Sequence, residues 1–260
     1  MFFGTASAQL LAVGAGKSCS GSSRTATTAR PVTSVVDRLR FGAGVLDRRT
    51  TVGMAVMDAA DWDARYREAE LLWSAEPNRW VAQCAQQLAP GRALDLAAGE
   101  GRNALWLAAR GWVVTAVDFS RVAVDRAREL SEELPTSAAD RVQWVVGDVL
   151  EYEPCGTFDL VLISYLHLPA QQRRFVVRKA AAALADSGTL LVVGHHADNL
   201  VDGVGGPQDP TVLYSEQDVV DDVADVPGLQ VRTAAKVERP VAGEARPALD
   251  VVVEIRREGQ

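Results

Sequence analysis

Between residues 91 and 195, five short apolar runs recur: RALDLAA, WVVTAVD, RVQWVVGD, FDLVLISY and GTLLVVG. Each has the length of a strand, and most are separated by stretches of helical periodicity. RNALWLAARG reads as a helix ended by Gly111, SRVAVDRARELSEEL as one capped by Ser120, and PAQQRRFVVRKAAAALAD as a third. Strands joined through helices lie parallel, and a parallel sheet needs cover on both faces. Two more helices precede the first strand. DAADWDARYREAELLW has an acidic first turn, and PNRWVAQCAQQL has Pro77 near its start. At the far end, LQVRTAAKVERPV and RPALDVVVEIRR follow one another with only a turn between them, which predicts an antiparallel hairpin. The expected fold is α/β: a seven-stranded, mostly parallel sheet with helices on both faces and a C-terminal antiparallel hairpin.

Residues 1–53 do not share this pattern. They carry seven Lys/Arg against two Asp/Glu and are rich in Ser, Thr, Ala and Gly, a composition from which a packed core is hard to build. The string GAGKS lacks the earlier glycine of a phosphate loop, because position 11 is Leu. The segment is expected to be disordered or an upstream extension of the gene, with the folded domain occupying 54–260. The remainder of the chain holds 20 basic and 32 acidic residues. An acidic body disfavours nucleic acid as a partner. No apolar run reaches the length of a membrane span. Cys19, Cys84 and Cys155 have no CxxC spacing, which fits a reducing cytoplasm better than a disulfide framework. Oligomeric state is not legible.

In an open parallel sheet, ligands bind at the carboxyl ends of the strands. Three acids fall there: Asp95 before the turn LAAGEG, Asp118 at the end of the second strand, and Asp148 after the third. Gly99 and Gly101 permit a tight turn and close backbone approach. The helix beginning near Arg102 points its unpaired amides at the same place, which suits a carboxylate or a phosphate. Asp118 is spaced to accept hydrogen bonds from a ribose. Phe119 is placed to pack on adenine, and Asp148 with the amide of Val149 to receive its amino group. GEGRNA also fits the dinucleotide pattern. Asp95 weighs against that reading, since a carboxylate there would repel a pyrophosphate and suits an ammonium group instead.

At these residues the chain resembles the class I S-adenosylmethionine-dependent methyltransferases. DLAAGEGRN looks like their first motif, VDFS like the end of their second strand, GDV like the adenine turn, and FDLVLISYLHL like the strand bordering the substrate. The likeness spans roughly residues 60–255 and is nearest to small bacterial enzymes of the tellurite-resistance and thiopurine methyltransferase type. It implies a Rossmann-like fold, S-adenosyl-L-methionine as cofactor and S-adenosyl-L-homocysteine as product. It places Ala97, Asn103, Ser120 and Ser164 beside the residues above in the cofactor site. It also implies that Trp62 and Tyr66, on a WDARY helix, fold over the cofactor. Ala97 stands where many relatives have Gly, and is tolerable there if its φ is negative.

All three histidines lie just past strand ends on the ligand side. His167, His195 and His196 are candidate proton acceptors, with Tyr165 beside them. Their spacing with Asp198 is not that of a metal site, so no metal is expected. The segment HHADNLVDGVGGPQDPTVLY reads as a substrate-side lid, and Arg173, Arg174, Arg178 and Lys179 as a solvated face. The expected activity is methylation of a small molecule at O, N or S. A catalytically silent S-adenosylmethionine-binding sensor and an NAD(P)-dependent oxidoreductase are the alternatives. A chain beginning at Met54 should melt at the same temperature as the full chain in a thermal scan. A large loss of stability would show that residues 1–53 pack on the domain.

Overall fold

The computed structural model describes residues 57–68 and 76–259; the expectation for 1–53 lies outside them. In chain order the elements are α1 (Ala59–Glu68), α2 (Arg79–Ala85), β1 (Arg92–Leu96), α3 (Arg102–Ala109), β2 (Val113–Asp118), α4 (Arg121–Ser131), α5 (Thr136–Ala139), β3 (Val142–Val146), β4 (Phe158–Ser164), α6 (Ala170–Ala182), β5 (Leu184–His195), α7 (Asn199–Asp202), a 3₁₀ turn (Pro210–Val212), α8 (Glu216–Val223), β6 (Leu229–Arg239) and β7 (Ala248–Arg257). The strands form one seven-stranded sheet in the order β3-β2-β1-β4-β5-β7-β6. Every neighbouring pair is parallel except β5–β7 and β6–β7, so the terminal hairpin inserts β7 antiparallel beside β5. Among the described residues, no helix is long and apolar enough to cross a membrane.

The central strands are apolar on both faces because both faces are covered. On one, Leu94, Leu96, Val161, Ile163 and Val192 pack with Val176, Val177 and Ala180 of α6 and Val219 of α8. On the other, Ala93, Leu160, Leu162 and Leu191 pack with Ala104, Leu107 and Ala108 of α3 and Val81 of α2. Fully burying each of these valines, leucines and isoleucines contributes about 1.5–3 kcal/mol. The helix starts follow the expected chemistry. Ser120 Oγ accepts from the Ala123 amide, and Ser215 and Asp218 form a reciprocal capping box. Asn78, not Pro77, caps α2 by accepting from the amides of Trp80 and Val81.

Two features differ from expectation. The basic cluster on α6 is a solvated face only in part, with Arg174 exposed. Arg173 is 9% exposed and its Nε donates to Asp222 Oδ2 at 2.7 Å, beneath fully buried Asp222 of α8. Lys179 donates to the carbonyls of Leu150 and Tyr152. The cluster is the seam between α6, α8 and the loop after β3. Ala97 also differs: its φ is +60°, in the left-handed region, rather than negative. The turn after β1 reverses so sharply that residues 97, 99 and 101 all take positive φ. A Cβ there costs about 1–2 kcal/mol, which is why glycine is common at such positions.

Glycine is indispensable at 101 for a second reason. A Cβ at that position would lie 2.3 Å from Cη2 of Trp144, which packs directly over the turn. Gly101→Ala should therefore destabilise the protein by about 2–4 kcal/mol, combining left-handed strain with overpacking. Ala97→Gly should have the opposite sign, a gain of up to about 1 kcal/mol after the entropy lost in ordering glycine. Urea unfolding of both variants measures the two shifts; destabilisation by Ala97→Gly would contradict the assigned conformation.

Candidate active site

The site is assembled where β1, β2, β4 and β5 end. Asp95, on β1, is fully buried, and neither carboxylate oxygen has a hydrogen-bond partner. Burial raises its pKa to about 7, offset in part by Arg102 and reinforced by Asp118. Arg102, the first residue of α3, lies in the field of Asp95, Tyr165, Arg239 and Tyr66. Native proteins seldom leave a buried carboxylate with two unpaired oxygens, and such a group could hold a hydrogen-bonding cation.

Asp118 ends β2 and joins two loops. Its Oδ2 accepts from the Gly99 amide and its Oδ1 from the Ser120 amide, both at 2.8 Å. Burial raises its pKa, and these two amides hold it down. Each oxygen keeps a further lone pair for a ligand hydroxyl. Asp148 is exposed and closes its own turn by accepting from the Leu150 amide at 2.8 Å, while Val149 beside it is buried. Gly147 donates to the Asp118 carbonyl, so the loops after β2 and β3 are tied together. Phe119 is half-buried between Asp118 and the α4 cap.

Helix α1 is fastened to this place by Asp63, a residue sequence reasoning passed over. Its Oδ1 accepts from Ser120 Oγ at 2.5 Å and from the Val122 amide at 3.3 Å. The Ser120 hydrogen bond is the main reason its pKa falls. Tyr66 is 4% exposed and Trp62 half-buried, with ring centroids 5.7 Å apart, on the helix that Asp63 fastens to the start of α4. Two residues expected at the cofactor also hold the frame together. Ser120 divides its hydroxyl between Asp63 and the α4 cap. Asn103 Oδ1 accepts from the Asn78 amide at 2.9 Å and so locks α3 to the start of α2. Glu100, between the two glycines, pairs with Arg126 at 2.6 Å and is 3% exposed. Ser164, at the end of β4, has a buried hydroxyl without a partner.

The three histidines separate by role. His167 has both ring nitrogens engaged: Nδ1 lies 3.3 Å from the Val212 carbonyl, and Nε2 faces the His195 amide at 3.5 Å. The carbonyl requires a donor, so Nδ1 carries the proton, and burial lowers the pKa to about 3. His196 is also an anchor. Its Nδ1 accepts from the Asp198 amide at 2.9 Å, and Glu216 Oε2 lies 3.2 Å from Nε2. These contacts pin the segment after β5 to α8. The twenty-residue lid is itself structured: α7 and the 3₁₀ turn lie within it, and Asn199 bonds the amide of Leu249 and the carbonyls of Val204 and Gly205.

His195 remains. Its ring stacks on His167 at 5.5 Å and lies 5.0 Å from Tyr165. Burial lowers its pKa to about 4, with Asp250 opposing and Arg239 assisting. Tyr165 has a φ of +56°, an outlier for a bulky residue and the kind of strain found at functional sites. Its hydroxyl donates to Asp250 Oδ2 at 2.9 Å. Asp250, Arg239, Arg102 and Trp80 converge here from β7, β6, α3 and α2, and none of these side chains was suggested by sequence.

Residues 93–188 match a family model described as a methyltransferase domain. The architecture is the Rossmann-like fold of the S-adenosylmethionine-dependent methyltransferases. The chain is also 29% identical over 138 residues to the O-antigen chain terminator bifunctional methyltransferase/kinase WbdD of Escherichia coli, covering 49% of this chain and 18% of that protein. This chain thus spans less than a fifth of that relative. The fold superposes with TM-score 0.59 on the N-methyltransferase NodS of Bradyrhizobium japonicum WM9 in complex with S-adenosyl-L-homocysteine, at 15% identity, covering 77% of this chain and 99% of that one. TehB of Haemophilus influenzae gives TM-score 0.54 at 15% identity, covering 77% and 67%.

The depressed histidine pKa values make stability depend on pH. In the unfolded chain both imidazoles protonate near 6.5, but in the fold only near 3 and 4. Their contribution is complete above 6.5 and is lost as pH falls toward those values, at up to about 1.4 kcal/mol per unit each. Asp95, raised to about 7, works oppositely: its contribution is complete below 3.8 and lost as pH rises toward 7. The cofactor-free protein should lose stability between pH 6.5 and 4, and Asp95→Asn should steepen that loss. Chemical denaturation across this range checks both slopes.

Proposed function

We propose that this chain transfers a methyl group from S-adenosyl-L-methionine to an O, N or S atom of a small molecule in the cytoplasm. The observation that carries the reading is Asp95: a fully buried carboxylate with no partner fits the α-ammonium of the cofactor's methionine end. The positive ends of α3 and Arg102 suit its carboxylate, Asp118 its ribose hydroxyls, and the Phe119 and Asp148–Val149 turns its adenine. Trp62 and Tyr66 on α1 cover the site from above α4. When bound, the cofactor supplies a methyl group on a sulfonium, an excellent leaving group. The protein's tasks are then to align the acceptor, exclude water and take up a proton where one is released.

Several features support a small acceptor. The body outside residues 1–53 is acidic, and the described residues form one sheet with no added recognition element. The segment after β5 closes over His195: a Cβ on Gly206 would lie 2.7 Å from the imidazole. A dinucleotide would set its pyrophosphate against Asp95, so the oxidoreductase alternative is disfavoured. A catalytically silent sensor would share every cofactor contact and differs only in turnover.

The Asp95 assignment makes binding depend on pH. Below about 7 the carboxyl is protonated in the free protein, and an ammonium ligand must expel that proton. Affinity for S-adenosylmethionine should rise about tenfold per unit from pH 5 to 7, then fall above about 8 as the ligand's amine deprotonates. Asp95→Asn should flatten the rise and bind about 10- to 100-fold more weakly at pH 7.5. Calorimetry in buffers of different ionisation enthalpy measures the proton released. An Asp95→Asn variant that binds as tightly as the parent would refute the ammonium contact.

A further inference from the structure

Asp250 is 0% exposed, and its carboxylate is the hub of the polar cluster beyond β4 and β5. Oδ2 accepts from Arg239 Nε at 2.7 Å, Tyr165 Oη at 2.9 Å and Trp80 Nε1 at 3.4 Å. Oδ1 takes Arg239 Nη2 at 3.4 Å and faces His195 Nδ1 at 3.6 Å. That nitrogen is buried and has no hydrogen-bond partner. Asp250 and His195 are register partners on the antiparallel β7–β5 pair, so the backbone itself fixes their approach.

We propose that Asp250 is a positioning residue that holds His195 as its Nδ1–H tautomer, leaving Nε2 to accept the proton of a hydroxyl-bearing methyl acceptor. The inference rests on the methyltransferase reading and adds the acid–base partner and the acceptor class. A carboxylate a few tenths of an ångström beyond hydrogen-bond range of Nδ1 favours the proton there, because the other tautomer would set two lone pairs against each other. His167 on one side and Gly206 on the other fix the ring's plane. The ring's 13% exposure lies away from buried Nδ1. Tyr165 links this cluster to Arg102, and Arg102 to Asp95, so His195 stands within a few side chains of the proposed methionine site.

The acceptor class follows from the charges around the imidazole. The groups facing it are Asp250 from β7, Arg239 from β6, and His167 and Tyr165 from the loop after β4. Arg239 is ion-paired with Asp250 at 2.7 Å, so the pair adds little net charge beside the imidazole and suits an acceptor that arrives neutral. A thiol ionises unaided near pH 8.5, whereas a hydroxyl needs a base. In the step, the hydroxyl proton passes to Nε2 as the oxygen lone pair bonds to the sulfonium methyl. The carbon–sulfur electron pair stays on sulfur, giving S-adenosylhomocysteine, and the imidazolium then returns its proton to water.

The test is ¹⁵N–¹H correlation NMR of the full chain bound to S-adenosylhomocysteine. His195 should be the Nδ1–H tautomer and protonate near pH 4. Asp250→Asn should mix the tautomers and shift the midpoint lower, because the carboxylate opposes the lowering. An Nε2–H tautomer in the parent protein overturns the proposal, and this decides even where Asp250→Asn fails to fold. A folded Asp250→Asn variant with unchanged tautomer and midpoint overturns it as well. With a mixed panel of phenol, thiophenol and aniline, methyl transfer to phenol supports the acceptor class, and transfer confined to the thiol or the amine overturns it. His195→Gln should bind S-adenosylhomocysteine within twofold of the parent. Failure of the parent to bind it would instead overturn the methyltransferase reading, leaving the tautomer to stand or fall separately.

Discussion

The carboxylate of Asp118 organises the ligand end of the sheet. It accepts the amides of Gly99 and Ser120, binding the turn after β1 to the turn after β2. Its backbone carbonyl takes the amide of Gly147, adding the loop after β3. Ser120, fixed by that contact, starts α4 and receives Asp63 of α1. Charge-assisted hydrogen bonds of this kind contribute roughly 1.5–3 kcal/mol each. They are made by backbone amides that would otherwise be orphaned at a helix start or a tight turn. One residue therefore ties three loops together and, through Ser120, helix α1.

With that frame rigid, Asp95 sits in an environment that penalises its charge and supplies no partner. Native structures seldom leave a buried carboxylate so. The energetic cost is borne where a cationic ligand would relieve it, and the strain at Ala97 and Tyr165 lies at the ends of β1 and β4, on either side of the same place. On the proposed reading, stability and binding oppose one another at this site, because the groups that weaken the free protein are those assigned to hold or orient a ligand.

What sequence reveals of this protein is local. Strand runs, the Ser120 cap, the Gly111 stop and the terminal hairpin depend on residues close in the chain, and each is found where periodicity and capping chemistry put it. The acids at the strand ends were legible because an open parallel sheet dictates where its ligands lie. The pairings that build the rest were not. Asp63 meets Ser120 across 57 residues, and Tyr165 meets Asp250 across 85. Arg173 read as a surface cation because its partner Asp222 lies 49 residues away. Adjacent His195 and His196 looked equivalent, yet strand alternation sends them to opposite sides: one into the polar cluster, the other to α8. The sign of φ at Ala97 was beyond reach, since alanine itself carries no turn signal.

The central claim is that the turn after β1, with Asp95 and Asp118, is built for S-adenosylmethionine rather than for a dinucleotide. Isothermal titration of the full chain with S-adenosylhomocysteine and, separately, with NADH tests it most directly. The account predicts one site for S-adenosylhomocysteine and no measurable heat with NADH. Saturable NADH binding, with none for S-adenosylhomocysteine, would contradict it.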